Sequence, residues 1–281
     1  MRRVLTPLEQ LLAALARGPV CLVTVERAQG STPREEGAWM AIAQDAPEVL
    51  IGSIGGGHLE WQAMHEAHER LQTCAAGATE PAPVTRKALG PSLGQCCGGV
   101  VFLRYECLGP QHAALVRERL APRLRRLTLF GGGHVGKALV RVLAPLPFAL
   151  QWVDSRDEIF PEQLGSKVEC EYSDPVQAAV ADIVPGAMVL IMSFSHAEDL
   201  EIVDACLARQ RACRDLPFIG LIGSKTKWAT FRHRLEARGY GEEDFAHITC
   251  PIGVPGIEGK DPEVIAVAVA AQLLMRVSPV A

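Results

Sequence analysis

The six residues Gly131-Gly132-Gly133-His134-Val135-Gly136 constrain this chain more than any other feature, because they directly follow an apolar stretch and open an amphipathic one. Glycines spaced G-x-G-x-x-G between a strand and a helix have separate uses. The first permits a tight turn, the second lets backbone approach a pyrophosphate, and the third allows close helix packing. The helix start adds unpaired N–H groups and the positive end of its dipole, both suited to an anion. Asp154, 18 residues past Gly136 at the end of the next strand, is placed for a ribose hydroxyl. A glycine turn of purely structural use is the alternative.

From Leu127 onward, strands alternate with helices, the pattern of a parallel sheet with crossover helices. Strands are expected at 126–130, 149–153, 168–170, 188–192, 218–222 and 246–249, with the clearest helices at 135–143, 197–209, 225–238 and 262–275. Six strands match the Rossmann count, and ligands of such sheets lie outside the carboxyl ends of the strands. Two polar loops fall there: Ser193-Phe194-Ser195-His196 after the fourth strand, and Gly223-Ser224-Lys225-Thr226-Lys227 after the fifth. His196 is a candidate to bind phosphate or act as an acid or base, or is simply a solvated helix start. Lys225 is a candidate anion partner, and Ser224 either joins it or caps the helix. Cys250, in the loop before the last helix, reads as structural.

The first 110 residues read differently. A helix at 5–16, strands at 20–25, 38–43 and 49–51, a glycine turn at 52–57, a helix to about Cys74, and strands at 84–89 and 100–105 make an α+β domain. Residues 111–126 read as a linker helix, and 127–281 as the Rossmann-like domain. The expected class is therefore α/β, a C-terminal Rossmann-like parallel sheet with an N-terminal α+β domain. One short echo, Gly-Gly-Gly-His, stands at 55–58 and again at 131–134.

Nine cysteines occur, an odd number with no paired Cys-x-x-Cys, so neither a disulfide framework nor a zinc site is expected. Cys96 and Cys97 stand between Gly94-Gln95 and Gly98-Gly99, in a loop where converging N–H groups can lower a thiol pKa. Adjacent cysteines make a strained disulfide, whereas an accessible pair suits a soft metal or a sulfur-bearing ligand. The alternative is one buried and one idle thiol. Arg34, in the loop 29–38, could fork onto a phosphate.

Net charge is −4, with 9 basic and 11 acidic residues in 1–110 and 19 and 21 in the rest, so no basic excess marks a nucleic-acid or anionic-membrane surface. The one basic cluster, Arg117 to Arg126, fits a solvated helix face. The amino terminus has no apolar signal region, and the most apolar late segment, 264–275, is far short of a span of about 20 residues. A cytoplasmic protein without membrane contact is expected.

Eight ordered blocks resemble the xanthine dehydrogenase accessory proteins of the XdhC/CoxI family: GSTPREEGAWM (Gly30 to Met40), IGSIGGGHLE (Ile51 to Glu60), GQCCGG (Gly94 to Gly99), LFGGGHVG (Leu129 to Gly136), VDSR (Val153 to Arg156), SFSHAEDL (Ser193 to Leu200), IGSKTK (Ile222 to Lys227) and CPIGVPGI (Cys250 to Ile257). The resemblance covers nearly the whole chain. It implies an accessory factor rather than an enzyme of small-molecule metabolism, one that binds molybdenum cofactor (molybdopterin), holds it during sulfuration and inserts it into xanthine dehydrogenase. It also implies two partners, the molybdenum-binding subunit of that enzyme and a cysteine desulfurase; a homodimer is expected as well.

Under this reading the loop Gly131 to Gly136 receives the phosphate or nucleotide portion, and Cys96 or Cys97 faces the molybdenum or its sulfur. Asp154 sits awkwardly with a plain phosphate-ended pterin, which has no ribose; a dinucleotide form, a separate nucleotide or another role for the acid stay open. The rivals are an NAD(P)-dependent oxidoreductase, which lacks an evident catalytic constellation, and a nucleotide-binding redox regulator.

Overall fold

The computed structural model describes residues 5–73, 84–90, 98–162 and 164–277. The chain divides into two compact units, Met1–Ala121 and Pro122–Ala281.

The first unit is built on a five-stranded antiparallel sheet. Its elements are α1 (Pro7–Arg17), β1 (Val20–Gln29), β2 (Trp39–Ala43), β3 (Ala46–Gly52), α2 (Gly57–Thr73), β4 (Thr85–Ala88), β5 (Val100–Leu108) and α3 (Ala113–Leu120), with sheet order β3-β2-β1-β5-β4. Strand alternation decides which helix covers which face. In β1, Cys21, Val23 and Val25 pack against Leu59, Ala63 and Ala67 of α2, while Val20 and Leu22 pack against Leu11 and Leu15 of α1. Thr6 and Glu9 form a capping box that starts α1 with Pro7 in its first turn. The segment expected as a linker helix, 111–126, holds α3, whose Val116 packs into this unit's core, and then the first residues of the next strand.

The second unit is a six-stranded parallel sheet: β6 (Arg125–Phe130), β7 (Phe148–Asp154), β8 (Val168–Tyr172), β9 (Met188–Ile191), β10 (Ile219–Leu221) and β11 (Ile248–Thr249). Its order β11-β10-β9-β6-β7-β8 reverses between β6 and β9, which is the Rossmann arrangement. Helices α4 (His134–Leu143) and α8 (Pro262–Val277) cover one face with Leu129, Leu150, Trp152 and Leu190. Helices α5 (His196–Cys213), α6 (Lys225–Glu236) and α7 (Glu242–Phe245) cover the other with Phe130, Val153, Val189 and Ile191. Both faces of the inner strands are largely buried, so apart from Thr128 and Gln151 they read as apolar runs rather than alternating ones. Between β8 and β9 the crossover is only a 3-10 segment, Val176–Asp182.

No helix among the described residues is long and apolar enough to cross a membrane.

Candidate cofactor-binding site

The three glycines of the G-x-G-x-x-G spacing, Gly131, Gly133 and Gly136, have two kinds of environment. Gly131 has φ +117°, a conformation L side chains rarely adopt, and a Cβ there would lie 1.9 Å from the Met192 carbonyl oxygen. A Cβ on Gly136 would lie 2.1 Å from the Gly131 carbonyl oxygen. These two positions are closed by protein. Gly133 is the reverse: exposed, with nothing within 4 Å of a Cβ, and standing at the N-cap of α4 with no side chain capping the helix. Among the described residues no capping side chain takes the first-turn N–H groups of α4, which leaves them for an external acceptor.

The turn is held from below. The Trp152 indole donates to the Gly131 carbonyl at 2.9 Å, and the Gly131 N–H donates to the Val153 carbonyl at 2.8 Å. Asp154, 1% exposed, accepts from the Gly132 N–H at 2.6 Å, from the Arg156 N–H at 2.9 Å, and from Arg156 Nε and Nη2 at 2.8 and 2.9 Å. Its carboxylate ties the glycine turn to the end of β7, and its acceptor positions are taken.

Neighbouring loops are laced to one another. The Ser155 hydroxyl donates to Glu198 at 2.7 Å, and Glu198 also accepts from the Phe194 N–H at 3.1 Å, joining the loop after β7 to that after β9. Asp199 accepts from the Ser193 N–H and hydroxyl at 2.8 and 2.7 Å and from Lys227 Nζ at 2.6 Å, while Lys227 also donates to the Ile222 carbonyl at 2.8 Å. That pair joins the loops after β9 and β10. With side chains 3% and 10% exposed, Asp199 and Lys227 form a buried ion pair, and removing one partner strands the other charge. Lys227→Met is expected to cost about 3 kcal/mol or more in urea unfolding, with partial recovery when Asp199→Leu is added; a loss below about 1 kcal/mol would show the pair to be dispensable.

The residues singled out from sequence distribute as follows. Ser195 and Ser224 are helix N-caps, their hydroxyls accepting from the Glu198 and Lys227 N–H groups at 3.2 and 3.1 Å. His134, His196 and Lys225 are exposed at the starts of α4, α5 and α6, at the carboxyl ends of β6, β9 and β10. Arg34 is exposed in the first unit, beside Glu35 at 3.8 Å. Cys96 and Cys97 lie outside the described residues. Among those described, no cluster of three or more His, Cys, Asp or Glu is disposed to hold a metal. Burial pushes the Cys250 thiol up to about 11, leaving still less thiolate at pH 7 than a free cysteine has.

Arg156, Phe194, Glu198, Asp199 and Lys227 were not singled out from sequence. A signal existed for Arg156 alone: an arginine two residues past the acid at a strand end can fold back on that acid.

In the first unit, two of the sequence blocks and the Gly98-Gly99 end of a third meet at one end of the sheet. The pairings of Gln29 with Val100, Met40 with Gly52 and Ala88 with Val100 place the ends of β1, β3 and β4 beside the starts of β2 and β5. There the Gly99 N–H donates to the Ser31 carbonyl at 3.1 Å and the Leu89 N–H to the Gly99 carbonyl at 2.8 Å. The Glu60 carboxylate accepts from the Ser53 hydroxyl and the Ile54 and Gly55 N–H groups at 2.6, 2.9 and 3.1 Å, fixing the glycine turn before α2.

Acid should loosen the second unit. Burial raises the Asp154 carboxyl, but the Arg156 fork and the Gly132 and Arg156 N–H groups outweigh it and hold the group below its usual range. Hydrogen bonding from Arg211 is the main cause that brings Asp244 down to about 2. A carboxyl depressed in the folded state contributes stability above its unfolded pKa, about 3.9 for Asp, and that stability is lost as pH falls through the folded value. The urea midpoint should therefore drop from about pH 4 toward pH 2, less steeply in Asp154→Asn; a midpoint flat over that range would contradict it.

Two family models match the chain, one described as the XdhC Rossmann domain over residues 127–273, the other as the XdhC and CoxI family over residues 13–80. The chain belongs to the XdhC family. YqeB of Escherichia coli K12, an uncharacterised protein, is 28% identical to this XdhC chain over 261 residues, 91% of this chain and 43% of YqeB. The XdhC chain thus spans less than half of that relative. A crystal structure from Bacillus halodurans, described as a xanthine dehydrogenase, is 20% identical, with a TM-score of 0.76 over 98% of the XdhC chain and 97% of its own. That likeness is one of fold.

Proposed function

We propose that this XdhC chain is an accessory factor that holds molybdenum cofactor as cargo during its sulfuration and delivers it to the molybdenum-binding subunit of xanthine dehydrogenase. A cysteine desulfurase supplies the sulfur, and the carrier works in the cytoplasm as a homodimer. The single observation that carries the reading is the turn at Gly131 to Gly136, with protein packed against Gly131 and Gly136 and open space at the uncapped helix start of Gly133.

That arrangement fits the cargo. Molybdopterin ends in a phosphate, whose oxygens can accept from the backbone N–H groups at the start of α4 with the helix dipole in support. His134, Ser195, His196, Ser224 and Lys225 are assigned to its polar surround, and Arg34 is proposed separately as an anion contact of the first unit. Cys96 and Cys97 are assigned to the molybdenum or its sulfur, for which thiols are soft ligands. The role asks for binding and release, and the protein's work is to position the phosphate and shield the metal.

Purified from cells that make the cofactor, the protein should carry molybdenum and pterin, and Cys96→Ala or Cys97→Ala should lower the molybdenum. Absence of both, with NAD bound instead, would overturn the reading and restore the oxidoreductase. Unchanged loading and delivery in both cysteine variants would remove the thiols from it.

A further inference from the structure

A ribose diol recognised at the end of a Rossmann strand needs free carboxylate lone pairs. Asp154 has none to offer: a carboxylate has about four acceptor positions, and Gly132 and Arg156 fill four with donors 2.6 to 2.9 Å away. At 1% exposure it is also out of a ligand's reach. Arg156 is the opposite. Its side chain is 35% exposed and its guanidinium lies 4.4 Å over the Phe194 ring, itself 66% exposed. Of its five N–H donors, Nε and one on Nη2 go to Asp154, and among the described residues Nη1 meets no protein acceptor. Glu198, the other acid acting on Arg156, is occupied by Ser155 and Phe194.

The usual polarity of this position is thus inverted. The carboxylate orients a planar cation, and the cation is what faces outward, with a donor geometry that matches phosphate oxygens. We infer that Arg156 selects ligands bearing a phosphomonoester at the carboxyl end of β7 over ligands presenting a bare ribose diol, with Asp154 as the positioning residue behind it. The inference rests on the reading of Gly131 to Gly136 as the anion-binding turn. Two sources share the chemistry, the 2′-phosphate of a nucleotide and the terminal phosphate of a pterin, the latter shared between Arg156 and the glycine turn, which Asp154 ties together.

The test is calorimetric titration of the full chain with adenosine 2′,5′-bisphosphate, 5′-AMP and inorganic pyrophosphate. The bisphosphate should bind at least about tenfold tighter than 5′-AMP. Arg156→Gln should bring that ratio close to one, and Arg156→Lys should restore part of it; a ratio is insensitive to a general loosening of the fold. Equal affinities in the wild type, or a ratio that survives Arg156→Gln, would overturn the selectivity while leaving the turn as an anion site. Failure of all three probes, pyrophosphate included, would overturn the turn's role and the selectivity with it. The source is read from Arg156→Gln purified from cofactor-making cells. A roughly tenfold loss of molybdenum and pterin assigns the phosphate to the pterin, and full retention beside a lost bisphosphate preference assigns it to a nucleotide.

Discussion

Gly131→Ala should destabilise the Rossmann unit by about 2 to 6 kcal/mol, a large fraction of the 5 to 15 kcal/mol that typically holds a domain folded. Two costs add. A side chain at φ +117° is strained by about 1 to 3 kcal/mol. The new methyl also falls 1.9 Å from the Met192 carbonyl oxygen, where only a shift of backbone can make room, at a further cost of about 1 to 3 kcal/mol. Relief by movement is restricted because the Gly131 N–H is bonded to the Val153 carbonyl and its own carbonyl to the Trp152 indole. The melting temperature should fall on the order of 10 °C. A fall of only a degree or two would mean that the β6–α4 turn is far more pliable than its packing indicates.

Gly133→Asp should separate folding from binding. The residue has φ −68° and ψ −171°, a backbone any residue adopts, and its Cβ meets nothing within 4 Å. Aspartate is among the best N-cap residues and exceeds glycine there by a few tenths of a kcal/mol, and its charge complements the helix dipole. Stability should therefore hold or rise slightly. Binding should move the other way, because a carboxylate would occupy the place of the ligand's anion. Two unit charges 4 Å apart repel by about 4 kcal/mol at an effective dielectric constant of 20, and exposure reduces this, leaving a loss of at least about tenfold in affinity. Cofactor content in the purified variant reports it. Retained content, or a loss matched by a drop in stability, would show that Gly133 is not where the anion sits.

The Rossmann fold was legible because the inner strands are mostly apolar and three of the five crossovers leave a helical pattern, from Leu127 to the last helix. The crossover Val176–Asp182 was not, since its seven residues are too few for a 3.6-residue periodicity to emerge. At the site, spacing alone gave the turn and the acid 18 residues beyond it. It could not give the acid's occupancy: whether Asp154 faces a ribose or a neighbouring arginine depends on the rotamer of Arg156, which leaves no periodic trace. Lys225 and Lys227 likewise look equivalent in the sequence. The helix phase at the start of α6 exposes the first and buries the second against Asp199.

Cofactor delivery tests the carrier reading most directly. Protein purified from cofactor-making cells is mixed with molybdenum-free xanthine dehydrogenase, and the molybdenum that appears in the enzyme is measured with its restored activity. The wild-type chain should transfer molybdenum and restore activity in proportion, while Gly133→Asp, folded to the same stability, should transfer at least about tenfold less. A wild-type chain that transfers none, or a Gly133→Asp chain that transfers as much, would contradict a carrier whose glycine turn holds the cargo.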